Sequence, residues 1–238
     1  MTLKSLADAL HIRKELAVLP HSAHIGILGG GATGVELAAE LANKFQVTIY
    51  QGAPTILPTA SSNFRHSVEN CLKKRKINII VNAHWDTPPK GVDYLIWCTG
   101  VKQELPPTDM SITTISGEVL VDKNLRVKTA ENVFSLGDCA ATFAPKIAQT
   151  AEQQARVVAI NIIRVVERKP LVPFSFRCRG FLLSAGQFCG VGEINGFTFF
   201  GFFAWWLKRT IYLFKIVGLL PKWKLAWEYT KKVIFTTR

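Results

Sequence analysis

The 238-residue sequence lacks the cysteine patterns of dithiol redox enzymes and of zinc-binding proteins. Its five cysteines are scattered, and none belongs to a C-x-x-C pair or to a spacing that would hold a metal ion. We therefore expect reduced, mostly buried thiols, no metal site and a protein that faces the cytosol. The missing redox pair also argues against a soluble dithiol reductase.

The sequence also lacks long apolar runs, and its C-terminal part is poor in acids. No stretch reaches the roughly 20 apolar residues that span a bilayer. Residues 197–238 contain eight lysines and arginines and four of the six tryptophans, but only one acid, Glu228. Such a segment suits either nucleic acid or a membrane surface. Because its charges are embedded in apolar sequence, we expect a membrane surface as partner and no nucleic acid.

Helical spacing in this segment separates polar from apolar side chains. One side of the helical wheel carries Lys208, Tyr212 and Lys215. Another side carries mainly Phe203, Leu207, Ile211 and Phe214. The pattern predicts an interfacial helix whose lysines contact anionic lipid, with four tryptophans at the interface: Trp205, Trp206, Trp223 and Trp227. A buried hydrophobic helix or an oligomer interface is the alternative.

A glycine cluster between an apolar run and a helix-forming run is the most informative motif of the chain. Gly29, Gly31 and Gly34 fit the pattern G-x-G-x-x-G and precede residues 36–42, which favour a helix. This context predicts a Rossmann-like unit that holds a dinucleotide pyrophosphate at the helix N-terminus. A purely structural glycine turn is the alternative.

Gln51 occupies the position, about 20 residues after the glycines, where an acidic residue usually holds the ribose hydroxyls. Glutamine can hydrogen-bond to a ribose hydroxyl, but it lacks the charge that repels a 2′-phosphate. Residues 52–54 provide no arginine that would bind such a phosphate. We therefore predict weak discrimination between NADH and NADPH.

Apolar spacing predicts the other elements of the N-terminal part. Helices are expected at residues 5–19 and 63–76, and buried strands at residues 47–50, 77–81 and 94–100. The first helix precedes the first strand, which is unusual for a dinucleotide-binding domain.

A second module follows Val119. Residues 132–136 predict another strand, which ends at Gly137 and Asp138. A carboxylate at a strand end, beside a glycine that lets a ligand approach, suits the binding of a polyol hydroxyl. A simple Gly-Asp turn is the alternative.

A long helix is predicted next, at residues 146–168, with Pro145 suited to its first turn. Gln149 and Gln153 are four residues apart and share one face near its start. Solvent exposure is the simpler interpretation of this pair.

Several segments together resemble the type II NADH dehydrogenases, which are single-subunit flavoprotein NADH:quinone oxidoreductases. The matching segments are residues 29–36, 97–100, 132–140 and 148–154 and the aromatic, basic end of the chain. The first three are shared by flavoproteins with two dinucleotide-binding domains. The Ala-Gln-x-Ala-x-Gln segment at 148–153 and the C-terminal end are more specific.

The resemblance implies an α/β fold, in which a Rossmann-like NAD(P)H domain is inserted into a partial FAD-binding Rossmann-like domain, followed by C-terminal amphipathic membrane-anchoring helices. The expected boundaries are 1–22 for a helical connection to the FAD domain and 23–104 for the NAD(P)H domain. Residues 105–180 would form the second part of the FAD domain, and 181–238 the membrane-association region.

The resemblance also implies roles for individual residues. Glu36 would orient the carboxamide of the nicotinamide, Gln149 and Gln153 would line the quinone pocket, and Arg179 would stand near the flavin where the family tends to have lysine. The expected cofactor-binding residues are Gly29, Gly31, Gly34, Gln51, Thr99, Gly100, Gly137, Asp138 and Ala148.

The implied activity is electron transfer from NAD(P)H through FAD to a membrane quinone of the respiratory chain, without proton pumping. The protein would be peripheral on the cytoplasmic face of the inner membrane. A sulfide:quinone oxidoreductase, which would need reactive thiols such as Cys139 and Cys178, is one alternative. A non-catalytic nucleotide-binding fragment at the membrane is another.

Two features depart from the family pattern. The chain has no earlier glycine fingerprint for the ADP half of FAD, so we expect a separate chain to carry that half. The stretch between Val81 and Tyr94 is also short, which indicates a trimmed nucleotide domain. A homodimer is compatible with the sequence.

Overall fold

The computed structural model describes residues 1–83, 89–100, 105, 114–115 and 117–235. The chain forms two compact units, Met1–Thr99 with Gly180–Arg238, and Gly100–Arg179. The expected domain boundary at residue 104 lies outside the described residues, and so do residues 84–88 of the shortened stretch after Val81. No helix in the described ranges is long and apolar enough to cross a bilayer.

The N-terminal part of the first unit is a parallel sheet with helices. Its helices are α1 (Leu6–Val18), α2 (Ala32–Leu41) and α3 (Ser62–Lys74). Its strands are β1 (His24–Leu28), β2 (Gln46–Tyr50), β3 (Asn78–Ile80) and β4 (Tyr94–Trp97), in the order β3-β2-β1-β4. Strand β1 pairs with β2 and β4 in parallel, and Thr2 bridges to Trp97 at the β4 edge. This is the βαβ arrangement that the glycine pattern predicts.

Burial explains why these segments fold as they do. Ile25 and Ile27 of β1 are fully buried, as expected for a parallel strand that is covered on both faces. Helix α1 begins with a capping box between Ser5 and Asp8, and it buries Ile12. Leu6, the first residue of this helix, is exposed.

The described residues of the second unit form short strands and one long helix. Its strands are β5 (Thr114–Ile115), β6 (Glu118–Leu120) and β7 (Ala140–Ala141), and its helix is α4 (Ala148–Val166). Helix α4 begins two residues later than expected, and its first turn is fastened by the Thr150 hydroxyl, which donates to the Pro145 carbonyl at 2.6 Å.

The strand predicted at residues 132–136 is wrong. This segment makes a single bridge, between Phe134 and Arg126, and continues into a 3₁₀ turn at Gly137–Cys139. The cause is backbone geometry, because Leu125 at φ 66° and Gly137 at φ 72° interrupt the extended conformation on the two paired segments.

The C-terminal segment returns to the first unit as a three-stranded antiparallel sheet followed by two helices. The strands are β8 (Phe181–Ser184), β9 (Gly190–Ile194) and β10 (Phe197–Gly201), and the helices are α5 (Phe202–Lys215) and α6 (Leu219–Phe235). Leu183 and Val191 belong to the same hydrophobic core as the parallel sheet. The segment therefore contains part of the core of this unit as well as amphipathic helices.

Candidate functional site

The three glycines of the fingerprint have different steric surroundings. Gly29 has φ 108°, and a Cβ there would lie 2.9 Å from the Thr99 side chain. Gly34 packs directly against β1, so that a Cβ would collide with the carbonyl oxygen of Gly29. Gly31 is different, because a Cβ at this position would meet no atom within 4 Å. The space beside Gly31 is therefore open to a ligand.

The helix that follows the turn offers donors to that open space. Gly31 is the N-cap of α2 and provides no side chain that would accept from the first N–H groups of the helix. These groups have no intrahelical acceptor, and the helix dipole favours negative charge at this end. The turn is therefore built to receive an anion such as a pyrophosphate.

Gln51, the residue after β2, holds the glycine turn in place through hydrogen bonds. Its Oε1 accepts a hydrogen bond from the Gly30 amide at 2.8 Å, and its Nε2 donates to the Thr55 carbonyl at 3.3 Å. The sequence indicated a residue that would contact a ribose. The structure adds a second role, in which the amide positions the loop.

Glu36 lies on α2 beside a cavity of about 660 Å³ that also involves Thr33, Lys208 and Arg209. Its Oε1 accepts from the Ser184 amide at 2.9 Å and pairs with the Lys208 ammonium group. The expectation that Lys208 contacts lipid is therefore wrong. Its side chain is 15% exposed and neutralises a carboxylate of the candidate site.

The prediction that Trp205 lies at the membrane interface is also wrong. This tryptophan is 3% exposed and packs against the Phe188 ring at 5.0 Å, so it is a core residue and does not lie at the interface. The Arg209 guanidinium lies 3.7 Å from the centre of its ring. Burial lowers the pKa of Arg209, and the charges of Tyr229, Glu40 and Glu36 oppose this effect.

In the second unit, Gln149 and Gln153 bind one backbone segment. Gln149 Oε1 accepts from the Arg179 amide at 2.7 Å. Gln153 accepts from the Arg177 amide at 3.0 Å and donates to its carbonyl at 2.8 Å. The structure thus brings three predicted residues together, with the Arg179 guanidinium 3.5 Å from Glu152. Both glutamine side chains therefore hydrogen-bond to the backbone, a role that the sequence did not indicate.

Gly137 and Asp138 are positioned by a residue that sequence reasoning missed. Gln154 is fully buried, and its Oε1 accepts from the Gly137 amide at 2.6 Å. Asp138 is exposed in the 3₁₀ turn. A helical stripe could have identified Gln154, since the buried residues of α4 recur every three or four positions: Thr150, Gln154, Val158 and Asn161.

The remaining predicted residues are Ala148, Thr99 and Gly100. Ala148 is the first residue of α4. The Thr99 carbonyl accepts from the Lys4 ammonium group at 2.6 Å, and Gly100 adopts φ 40°. In the described part of the chain, no group of three or more metal-ligating side chains could hold a metal ion.

Residues 1–155 match the family model described as pyridine nucleotide-disulphide oxidoreductase. The chain belongs to this family. A relative named probable NADH dehydrogenase, from Dictyostelium discoideum, is 29% identical over 88% of this chain and 54% of its own length. The type II NADH:quinone oxidoreductase of Haemophilus influenzae is 28% identical over 76% of this chain and 49% of its own.

Human ferroptosis suppressor protein 1 is 29% identical over 74% of this chain and 54% of its own length. The chain thus spans about half the length of the curated relatives that it matches. Among solved structures, NDH2 from Plasmodium falciparum in complex with NADH superposes with a TM-score of 0.75 at 17% identity, over 97% of this chain and 72% of that one.

These similarities confirm the resemblance to type II NADH dehydrogenases and the α/β Rossmann-type fold class. The family description names a pyridine nucleotide, which confirms NAD(P)H as the cofactor class of this family. The roles of the individual site residues and the domain boundaries stay predictions.

Proposed function

We propose that this chain is the NAD(P)H-binding and membrane-associated part of a flavin-dependent NAD(P)H:quinone oxidoreductase. The observation that carries the proposal is the glycine turn, in which Gly29 and Gly34 are sterically required and Gly31 leaves open space at the N-terminus of α2. A turn that was only structural would not need glycine at position 31. The relatives named NADH:quinone oxidoreductase support electron flow from NADH to a quinone.

In the proposed complex, Glu36 orients the carboxamide of the nicotinamide. Its carboxylate is held by the Ser184 amide and neutralised by Lys208, so the side chain has a fixed position and a compensated charge. Compensation matters in a partly buried site, because an isolated carboxylate there would be costly.

For the flavin, the residues of the second unit form part of a cradle. The exposed Asp138 carboxylate would accept from ribityl hydroxyls, and Gly137 at φ 72° keeps the backbone beside it free of a side chain. The N-terminus of α4 at Ala148 would stabilise the electron-rich pyrimidine edge. FAD, when bound, would supply the two-electron redox chemistry.

We assign Gln149, Gln153 and Arg179 to the quinone side of this unit. The glutamines hold the backbone from Arg177 to Arg179, and this segment would form a wall of the quinone pocket. The domain division that we propose keeps the NAD(P)H site in residues 23–104 and the flavin residues in 105–180.

The exposed apolar side chains of α5 and α6 are the observation that supports attachment to a bilayer surface. The large exposed side chains of these helices include Phe202, Phe203, Trp206, Phe214, Leu219, Leu220, Trp223 and Trp227. The basic residues of this segment would favour an anionic, cytoplasm-facing leaflet of the inner membrane. A membrane-attached site suits a lipophilic quinone.

Replacing both Trp223 and Trp227 by serine should weaken binding to anionic vesicles at least roughly tenfold, because each indole loses apolar burial in the headgroup region. These side chains are 74% and 61% exposed, so folding should not change. Vesicle co-sedimentation measures the effect. Phe143→Ser is the matched control, since Phe143 is fully exposed but lies outside the helices, and its vesicle binding should equal that of the wild type. Equal binding by the double variant would contradict the attachment.

Gln51 gives a prediction on cofactor choice. Wild-type dissociation constants for NADH and NADPH should agree within about tenfold, because the side chain is neutral. Gln51→Glu should weaken NADPH at least about tenfold more than NADH, since the carboxylate repels the 2′-phosphate. Gln51→Ala should weaken both dinucleotides equally through loss of the bond to the Gly30 amide. A strong wild-type preference for NADH in fluorescence titrations would contradict this assignment.

One experiment separates this function from nucleotide binding without catalysis. The purified chain in mild detergent is mixed with FAD, NADH and a short-chain quinone, and its visible spectrum is followed. Flavin bands that bleach with NADH and recover with quinone support the oxidoreductase. NADH binding without flavin uptake supports the nucleotide-binding alternative.

A further inference from the structure

Two cysteines that are distant in the sequence are in contact in the first unit. The Sγ atoms of Cys71 and Cys189 lie 3.5 Å apart, although 118 residues separate them. All five cysteines are free thiols. The sulfide:quinone alternative invoked Cys139 and Cys178, so the pair that the fold creates is one that sequence spacing did not reveal.

The surrounding backbone holds the two sulfur atoms in place. Cys71 lies in the last turns of α3, and Cys189 closes a tight turn between β8 and β9, where the Ala185 amide donates to its carbonyl at 2.9 Å. Arg75, one turn after Cys71, donates to the Gln187 carbonyl in the same turn at 3.1 Å and packs against Gly186. A disulfide of about 2 Å therefore requires a sulfur displacement of only about 1.5 Å.

A small reagent can reach Cys71 from solvent. Cys71 lines a cavity of about 400 Å³ together with Asn70, Lys73, Lys74 and Phe200. Two lysines at this opening favour an anionic reagent. Glutathione disulfide carries net negative charge at neutral pH and is a two-electron oxidant of thiols, so its chemistry fits the cavity.

We propose that Cys71 and Cys189 are a modification site that forms a reversible disulfide with an anionic low-molecular-weight disulfide of the glutathione type. The thiolate of one cysteine attacks a sulfur of the oxidant, forms a mixed disulfide and releases one glutathione thiolate. The second cysteine then displaces the other glutathione and closes the protein disulfide. The two protons lost by the cysteines are taken up by the two glutathione thiolates, and the oxidant is reduced by two electrons.

The thiol chemistry sets the rate of this reaction. Burial, followed by the contact with Cys189, raises the pKa of Cys71 to about 12. Cys71 must lose its proton either to attack or to resolve the mixed disulfide. The reaction should therefore be slow at neutral pH and faster as the pH rises toward that value.

The cross-link would join α3 to the turn that precedes β9, and so tie the C-terminal sheet to the nucleotide-binding sheet. A long closed loop constrains the unfolded chain, so the disulfide should raise the melting temperature by several degrees. The proposal does not depend on the proposed enzymatic activity.

The test incubates the full chain with glutathione disulfide at mildly alkaline pH, blocks remaining thiols by alkylation and maps peptides without reduction. We expect a peptide pair joined through Cys71 and Cys189, loss of two titratable thiols, and a melting temperature that rises by several degrees and returns after treatment with dithiothreitol. Cys178→Ser, which removes an exposed thiol, should leave all three results unchanged.

Cys71→Ser and Cys189→Ser should each abolish the cross-link and the thermal shift, and the corresponding alanine variants serve if a serine variant does not fold. Quantitative alkylation of Cys71 and Cys189 after oxidation would overturn the proposal. Glutathione adducts at either cysteine without the joined peptide would overturn it as well.

Discussion

Alanine at position 34 is expected to abolish NADH binding and to lower the free energy of unfolding by about 3 kcal/mol. An added Cβ at Gly34 collides with the carbonyl oxygen of Gly29, which is a backbone atom of the same turn and cannot rotate away. Helix α2 must then move off β1, which displaces the N–H groups that would hold the pyrophosphate. Urea unfolding and NADH fluorescence titration measure the two effects.

Gly31→Ala is the matched comparison within the same turn. Gly31 has φ −74°, which alanine adopts without strain, and the added methyl group meets no protein atom within 4 Å. The free energy of unfolding should therefore change by less than about 0.5 kcal/mol. NADH should nevertheless bind at least about tenfold more weakly, since the methyl group occupies the path of the pyrophosphate. Unchanged NADH affinity in Gly31→Ala would show that the turn is only structural.

Asn161→Leu should lower the stability of the second unit by about 3 kcal/mol. Asn161 is fully buried, and its Nδ2 donates to the carbonyls of Asn124 and Val172 at 3.0 and 2.9 Å, while its Oδ1 accepts from the Val172 amide at 2.8 Å. Leucine has a similar volume but leaves all three backbone groups without their partner. Hydrogen exchange of α4, read against denaturant, measures the loss.

The control for Asn161→Leu is the same substitution at an exposed position in the middle of another helix. Asn70 of α3 meets this requirement, and Asn70→Leu should change the free energy of unfolding by less than about 0.5 kcal/mol. Equal effects of the two substitutions would mean that the buried hydrogen bonds of Asn161 contribute little.

The sequence allowed the nucleotide-binding unit to be predicted because its constraints are local. Gly29 and Gly34 are required by contacts within a few residues or with an adjacent strand, and such requirements leave a readable pattern of glycines. The βαβ order follows from the alternation of apolar strands and helices, which is also local.

The contacts that complete the site are non-local, and no spacing rule reveals them. Glu36 and Lys208 are 172 residues apart, and a helical wheel of α5 alone could not show that Lys208 faces a carboxylate. The antiparallel sheet β8–β10 was not predicted, so the partner that buries Trp205 was missing from the helical-wheel argument.

The second unit shows a similar limit within one helix. Gln149, Gln153 and Gln154 have the same side chain, and only the packing of α4 decides that Gln154 is buried on the Gly137 amide while the other two hold the segment at Arg177–Arg179. The strand predicted at 132–136 failed because of the tertiary context as well. Its apolar residues fit a strand, but the segment that pairs with it turns at Leu125.

Hydrogen–deuterium exchange with and without NADH shows whether the N-terminus of α2 receives the pyrophosphate of NAD(P)H. At an NADH concentration near the wild-type dissociation constant, we expect slower exchange in the peptide that spans Gly29 to Leu37 and much weaker protection of this peptide in Gly31→Ala. NADH binding that leaves this peptide unchanged while protecting another part of the chain would contradict this position of the pyrophosphate.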